Sequence, residues 1–288
     1  MRVLVTGGSG YVGRAVVERL VGRHEVRVFD RVAPARDDVE FAEGSILSPA
    51  DCARACAGCD GVVHLAAIPA PGRNTDDEIM EVNVMGTERV VAAATGAGAR
   101  RVVAASSDST LGFVFGGGEI VPDYLPADEA HPARPRDAYG LSKVIDEEVL
   151  RRYTRLAGLQ TVALRYCWVW HEAHYSSIHD FADHPEQFAG QLWGYVDVRD
   201  VAQAVEKALV ADGITHETLF ISARRTFVPL PTVELIRRFL PATVAIGDPA
   251  YFETEPRACC HRYDRARRLI GYEPEHDWEE EARRLGTL

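Results

Sequence analysis

Tyr139 and Lys143 stand four residues apart at the start of a run with helical spacing that extends to about Leu156. Residues at i and i+4 share one face of a helix, so the phenol and the ammonium meet. An ammonium beside a phenol favours the phenolate and lowers its pKa. A tyrosine tuned this way can exchange a proton with a substrate hydroxyl near neutral pH. Taken alone, the pair reads as two surface residues on one face; two further groups change that. Ser106-Ser107-Asp108-Ser109 follows the apolar run 101–105. Its hydroxyls therefore lie just beyond a strand, at the edge where open α/β sheets bind ligands. At the other end of the chain, Gly7, Gly10 and Gly13 fall at intervals of three. A β-branched run, 2–6, precedes them and a helically spaced run, 15–20, follows. Strand, glycine turn and helix together present backbone N–H groups and a helix dipole to a phosphate. Glycine is required where a Cβ would block the close approach of ligand, helix and strand. In that context GxxGxxG reads as a dinucleotide site.

The elements that position these groups alternate along the chain. A second strand, 25–29, ends at Asp30, which lies 17 residues after Gly13. There a carboxylate can accept hydrogen bonds from adenosine ribose hydroxyls and repel a 2′-phosphate, which favours NAD over NADP. Arg31 could stack on adenine or meet a phosphate. Further strands are expected at 39–41, 60–67, 101–105, 161–166 and 218–222. Long helices are expected at 78–97, 139–156 and 201–210. Ser48-Pro49 marks a helix start, with serine as cap and proline in the first turn. His64 sits inside an apolar run and reads as a packed strand-end residue. The stretch 116–135, with three consecutive glycines and four prolines, reads as a loop over the cleft mouth. The alternation implies an α/β fold with one doubly wound parallel sheet.

Composition limits the partners. The 288 residues carry a formal charge of −11, which argues against a nucleic-acid or anionic-membrane surface. Apolar runs are too short to span a membrane. The first strand begins at residue 2, so no signal peptide is expected and a cytoplasmic protein is inferred. The six cysteines are then reduced thiols. Cys56-Ala-Gly-Cys59 lacks a second CxxC or a histidine pair and reads as a helix end packing on the sheet. Histidines 171, 174, 179 and 184, with nearby acids, lack a ligand spacing such as HExxH and read as a polar lid. No metal site is expected.

With these residues placed, the chain resembles the extended short-chain dehydrogenase/reductase family, the NAD-dependent epimerases and dehydratases, nearly end to end. The motifs are Thr6-Gly7-Gly8-Ser9-Gly10-Tyr11-Val12-Gly13, Asp30, His64-Leu65-Ala66-Ala67, Asn83-Val84-Met85-Gly86-Thr87, Ser106-Ser107 with Gly112, Tyr139 to Lys143, Leu164-Arg165-Tyr166, and Tyr195 to Ala202. The resemblance implies that Tyr139 acts as acid or base, that Lys143 lowers its pKa and holds the nicotinamide ribose, and that Ser107 orients the substrate oxygen. It implies NAD as cofactor, with Gly7, Gly10, Tyr11, Val12, Gly13, Asp30, Arg31, Ser45, Ile46, Leu65, Ala66, Ala67, Asn83, Tyr139, Lys143 and Tyr166 along its groove. Ser45-Ile46 replaces an Asp-Ile pair that holds adenine in many members.

Departures from the family pattern bear on substrate. Ser107-Asp108-Ser109 lacks the glutamate base of 4,6-dehydratases. Trp168 replaces an asparagine and narrows or reshapes the pocket, and His171 replaces a glycine. The segment 172–198 is short and has neither Lys nor Arg, although a diphosphate or uronate carboxylate calls for a guanidinium. Arg224, Arg225 and Arg257 lie further on and could supply one. Asp108, Ser109, Trp168, His171 and His174 are expected at the substrate. The expected organisation is a Rossmann domain at 1–166, rejoined by 195–222, and a small mixed substrate-binding region at 167–194 and 223–288. The leading expectation is an NAD-dependent oxidoreductase acting on a carbinol carbon of a sugar-like molecule. The alternatives are a nucleotide-sugar epimerase and a non-catalytic NAD-binding regulator. Family analogy adds a homodimer paired through 78–97 and 139–156.

Overall fold

Val3, Leu4 and Val5 have no exposed surface, as a strand covered on both faces requires. The computed structural model describes residues 1–115 and 120–288. The strands are β1 (Arg2–Thr6), β2 (Glu25–Asp30), β3 (Glu40–Glu43), β4 (Gly61–His64), β5 (Arg101–Ser107), β6 (Tyr124–Leu125), β7 (Gln160–Tyr166), β8 (Trp168–Trp170), β9 (Tyr195–Asp197), β10 (His216–Ile221) and β11 (Ala245–Ile246). Seven form one parallel sheet in the order β10-β7-β5-β4-β1-β2-β3. Strand order reverses beside β1, and ligands bind outside the carboxyl ends of the strands at such a switch point. The doubly wound Rossmann sheet expected from the sequence is present.

The helices that cover the sheet begin with α1 (Tyr11–Leu20), α2 (Pro49–Cys56), α3 (Asp76–Met80), α4 (Gly86–Gly96), α5 (Ala138–Ala157), α6 (Glu172–Ser176), α7 (Ile178–Asp183) and α8 (Val198–Val210). Val16, Val17 and Leu20 of α1 pack with Val201, Val205 and Leu209 of α8 on one face. Cys52 and Ala55 of α2, Val90 and Val91 of α4, and Leu150 of α5 pack on the other. Ser48 Oγ accepts from Asp51 N at 3.2 Å, with Pro49 in the first turn, as the sequence indicates. Cys52, Cys56 and Cys59 are buried, and burial lifts the Cys56 thiol to about 12. The CxxC is thus part of the core.

Three elements differ from expectation. The third strand lies at 40–43 rather than 39–41. The helix expected at 78–97 begins at Asp76, where Thr75 and Glu78 cap each other reciprocally, and a π turn, Glu81–Met85, interrupts it. Within the expected loop 116–135, β6 pairs with β11; Gly116–Gly118 lie outside the described residues.

A second core is largely aromatic. Trp170, Tyr175, Trp193, Tyr195, Phe220 and Phe227 are all fully buried there or nearly so. Tyr195 Oη accepts from Trp278 N at 2.8 Å, and Asp200 accepts from Glu275 N and His276 N, each at 3.1 Å. The stretch from Tyr195 to Ala202 therefore ties the carboxyl-terminal segment to α8. Among the described residues no helix is long and apolar enough to cross a membrane.

Candidate active site

The glycine turn works through backbone proximity. Gly7 has φ 69°, and a Cβ there would lie 2.7 Å from Ala66 N. A Cβ on Gly13 would lie 2.1 Å from Gly7 O, so no larger residue lets α1 start so close to the turn. Thr6 Oγ1 accepts from Leu65 N and Ala66 N at 3.2 and 3.3 Å, which fixes the loop after β4 against the turn. His64 bridges Thr6 Oγ1 at 2.7 Å and Thr87 Oγ1 at 3.0 Å. Burial, assisted by the Lys143 charge, lowers its pKa to about 3, so it is neutral and structural.

A groove of about 550 Å³ runs along this edge, lined by Gly7, Gly10, Asp30, Arg31, Ser45, Ile46, Leu65, Ala66 and Ala67 among others. Asp30 Oδ2 accepts from Ser9 N at 3.1 Å and Oδ1 from Arg31 N at 2.7 Å, which orients the carboxylate at the end of β2. Ile46 reaches the groove because Gly86 leaves it room: a Cβ there would be 2.4 Å from Ile46 Cδ1. Asn83 is a correction. It is fully buried in the π turn, binds Ile68 N at 2.8 Å and Ser142 Oγ at 2.9 Å, and stands behind the groove wall. It holds the loop that the cofactor would touch.

The groove opens at Leu65, Ala67 and Pro69 into a second cavity of about 450 Å³. Ser107, Tyr139 and Lys143 meet there, with Tyr11, Val12, Asp108, Tyr166 and Trp168 in the wall. Asp137 caps α5 through Gly140 N at 2.8 Å, and Gly140 packs on Ser109 O, where a Cβ would come within 2.6 Å. That close contact seats Tyr139 beneath the end of β5. Ser107 Oγ accepts from Ser109 N at 3.1 Å and donates to Asp108 Oδ1 at 3.2 Å. Lys143 Nζ lies 5.9 Å from the Tyr139 ring centroid, 3.1 Å from Asp146 Oδ2 and 3.3 Å from Ala105 O. Burial opposes its charge, but Asp146 and Tyr139 hold the ammonium above the ordinary lysine value.

Tyr139 departs from the simple expectation of a lowered pKa. Burial raises it, and the opposing pull of Lys143 and Ser107 only limits the rise. Asp108 is pushed up to about 6 by burial, against the attraction of His261 and Ser107. Next to the cavity, Leu192 and Trp193 hold φ of 52° and 54°, a sparsely populated region for such residues and one that clusters at functional sites.

Several expected substrate residues do not reach the cavity wall. Ser109 is buried and turned away, its backbone serving Ser107. His171 Nδ1 accepts from Ala173 N, and His174 Nδ1 from His171 N, each at 3.1 Å. Both cap α6. His171 touches the cavity only through Tyr11, the ring centroids lying 4.7 Å apart. His179 binds Thr287 O at 2.6 Å and His184 faces Glu186, so the histidines do not converge. Arg224, Arg225 and Arg257 pair with Glu273, Glu255 and Glu279 at 2.8, 3.0 and 2.6 Å and supply no guanidinium to the cavity. Among the described residues of its wall, Lys143 is the sole cationic side chain. One group went unforeseen: Cys167, Cys259 and His261 gather behind Asp108. The consecutive Cys259-Cys260-His261 was its only sequence signal.

A family model, the NAD dependent epimerase/dehydratase family, matches residues 3–220. A 3-beta-hydroxysteroid dehydrogenase from Mycolicibacterium neoaurum is 38% identical over 181 residues, or 59% of this chain and 48% of that protein. The chain thus spans about half the length of that relative. A uronate dehydrogenase from Pseudomonas putida is 27% identical over 224 residues, or 76% of this chain and 75% of that protein. The crystal structure of a short-chain dehydrogenase/reductase superfamily protein from Agrobacterium tumefaciens, with bound NAD, superposes with a TM-score of 0.77 at 25% identity. It covers 100% of this chain and 96% of its own. NAD is the cofactor, and the glycine turn, the oriented Asp30 and the joined cavities fit it. The chain belongs to the NAD-dependent epimerase/dehydratase family of short-chain dehydrogenase/reductases.

Proposed function

We propose that the protein is an NAD-dependent oxidoreductase that acts on a carbinol carbon of an uncharged sugar or sugar-like molecule. The observation that carries this reading is the meeting of Ser107, Tyr139 and Lys143 in a cavity continuous with the glycine-edged groove. In this reading the groove residues hold the cofactor, and residues 167–194 with 223–288 close the substrate side. When bound, NAD supplies the acceptor, or as NADH the donor, of a hydride. Tyr139 takes the hydroxyl proton of the substrate as its carbon is oxidised and returns it in reduction. Ser107 hydrogen-bonds the same oxygen, with Asp108 and Ser109 N fixing the direction of its hydroxyl. Lys143 opposes the cost of a buried phenolate. The mostly apolar wall excludes water from the proton transfer.

The word uncharged rests on the cavity wall. A uronate carboxylate or a nucleotide diphosphate would need a cation besides Lys143; none is present among the described wall residues, and the nearby arginines are paired. This favours net oxidation or reduction of a neutral molecule over nucleotide-sugar epimerisation. The presence of both Tyr139 and Lys143 argues against a non-catalytic regulator. The apolar wall also supports a second reading, a hydrophobic secondary alcohol. Pairing of two copies through residues 78–97 and 139–156 belongs to the proposal as well, supported by exposed Met85, Leu141 and Leu156.

The test is a panel of neutral aldoses, uronates, nucleotide sugars and apolar secondary alcohols with excess NAD. NADH formation with neutral aldoses is expected. A change of sugar stereochemistry without NADH would replace the reading with epimerisation. Preference for uronates would overturn the uncharged substrate, and turnover confined to apolar alcohols would select the second reading.

A further inference from the structure

Cys167 follows β7, while Cys259 and His261 lie on an extended segment that crosses the end of β10. Cys259 N donates to Arg224 O at 3.0 Å, Ser222 Oγ donates to His261 O at 2.9 Å, and Ala127 N donates to Cys260 O at 2.7 Å. The segment is therefore held from both sides. All three side chains are buried, and one ligand atom from each lies within 4.8 Å of the others. Among the described residues no other group could hold a metal ion in this way.

The imidazole points to a ligand on its own account. His261 has no exposed surface, and neither ring nitrogen makes a hydrogen bond of good geometry; its polar neighbours are the Cys259 sulfur and the Asp108 carboxylate. A buried imidazole whose polar neighbours are a sulfur and a distant carboxylate is poorly satisfied, and such groups in a native structure call for an explanation such as an ion. The two nitrogens face different surroundings. Nε2 is 3.8 Å from Asp108 Oδ2. Nδ1 lies on the Gly194 side with the Cys259 sulfur: a Cβ at Gly194 would be 3.0 Å from Nδ1 and 3.3 Å from Cys259 Sγ. Glycine at 194 leaves that side free.

We propose that Cys167, Cys259 and His261 bind a thiophilic divalent cation of the zinc type at the wall of the substrate cavity, which Cys167 lines. Two thiolates and one imidazole suit a borderline-soft ion. Bond lengths of about 2.3 Å to sulfur and about 2.0–2.1 Å to nitrogen place tetrahedral ligands about 3.5–3.8 Å apart. The present cluster needs only a slight contraction to reach that spacing. Binding needs both sulfurs as thiolates and a neutral imidazole nitrogen, so whatever protons these three groups carry are released to solvent. Nδ1 is the ligand atom, and Nε2–H turns to the Asp108 carboxylate, the outer-shell arrangement that fixes a metal-bound histidine. Three protein ligands leave one position for water. Asp108 also accepts from Ser107 Oγ, so the ion and the substrate-orienting hydroxyl share one carboxylate. Here Asp108 is a positioning residue.

The test uses the full chain, reduced, stripped with a chelator and titrated with Co2+ and then Zn2+. One equivalent of Co2+ is expected, with thiolate-to-cobalt charge-transfer bands and strong tetrahedral d–d bands that Zn2+ abolishes. C259S and H261Q should each weaken Co2+ binding by more than about 100-fold, beyond the 10–100-fold typical of an outer-shell partner, and D108N by about 10-fold. Circular dichroism and NAD titration check that each variant folds. Wild-type protein without charge-transfer bands would overturn the site whatever the variants do. So would equal Co2+ binding by C259S, or a Cys167–Cys259 disulfide that forms equally fast with and without Zn2+.

Discussion

The two sides of the cleft are built by opposite means. On the cofactor side, the key contacts are backbone to backbone: Gly7 against Ala66, Gly13 against Gly7, and Thr6 holding the next loop by its amides. On the substrate side, side chains do the work. Trp168 lies at 15° to Phe188 with centroids 5.8 Å apart, and Trp170 packs on Tyr195 at 4.6 Å. Backbone geometry written by glycine tolerates few changes, because any Cβ at Gly7 or Gly13 meets backbone atoms. Aromatic packing can be exchanged residue by residue, so this side can change substrate while the cofactor edge stays fixed.

The largest expected break in that contrast is at the buried charge pair of Lys143 and Asp146. Asp146→Asn leaves the Lys143 ammonium without its carboxylate and should cost about 3–5 kcal/mol of stability, measured by denaturant unfolding. A loss below about 1 kcal/mol would mean that Lys143 is held mainly by Ala105 O and the phenol. Next comes Asp30→Ala. Removing charge-assisted hydrogen bonds worth about 1.5–3 kcal/mol should raise the Kd for NAD roughly 10–100-fold, read by calorimetry, with little effect on kcat at saturating NAD. An unchanged Kd would place the ribose elsewhere.

The cofactor side also carries a pH signature. His64 is held to about 3, below the ordinary value of 6.5. Between those values the unfolded chain binds the extra proton. The contribution is therefore complete above about pH 6.5 and is lost as pH falls toward 3. His64→Gln should flatten the stability profile in that window by up to about 1.4 kcal/mol per pH unit, and an identical slope would show that His64 is solvated. The smallest effect is expected on the substrate side. His171→Ala should change kcat/KM less than about twofold, because the ring caps α6 rather than meeting substrate. A tenfold loss would put His171 back in the pocket.

Legibility in the sequence follows the same division. Gly7, Gly10, Gly13, Asp30 and the Tyr139–Lys143 spacing are local patterns, and each lands where its spacing indicates. Asn83 was recognisable as part of a motif, but not its place behind the wall, because the π turn that rotates it inward leaves no periodic mark. The substrate side misled for a different reason. Histidines at 171 and 174 are polar enough to bind a sugar, yet a short helix consumes them. The free-looking arginines find glutamates far along the chain. Cys167 meets Cys259 and His261 only through the crossing of β7, β10 and the carboxyl-terminal segment, a tertiary event with no periodicity.

The central claim is that Tyr139 performs proton transfer in a site whose cofactor edge stands without it. Tyr139→Phe tests it most directly, by single-turnover NADH formation and NAD affinity on the same preparation. The account predicts a rate loss of roughly 10²–10⁴-fold with the Kd for NAD unchanged. A retained rate would contradict it, as would loss of NAD binding together with the rate.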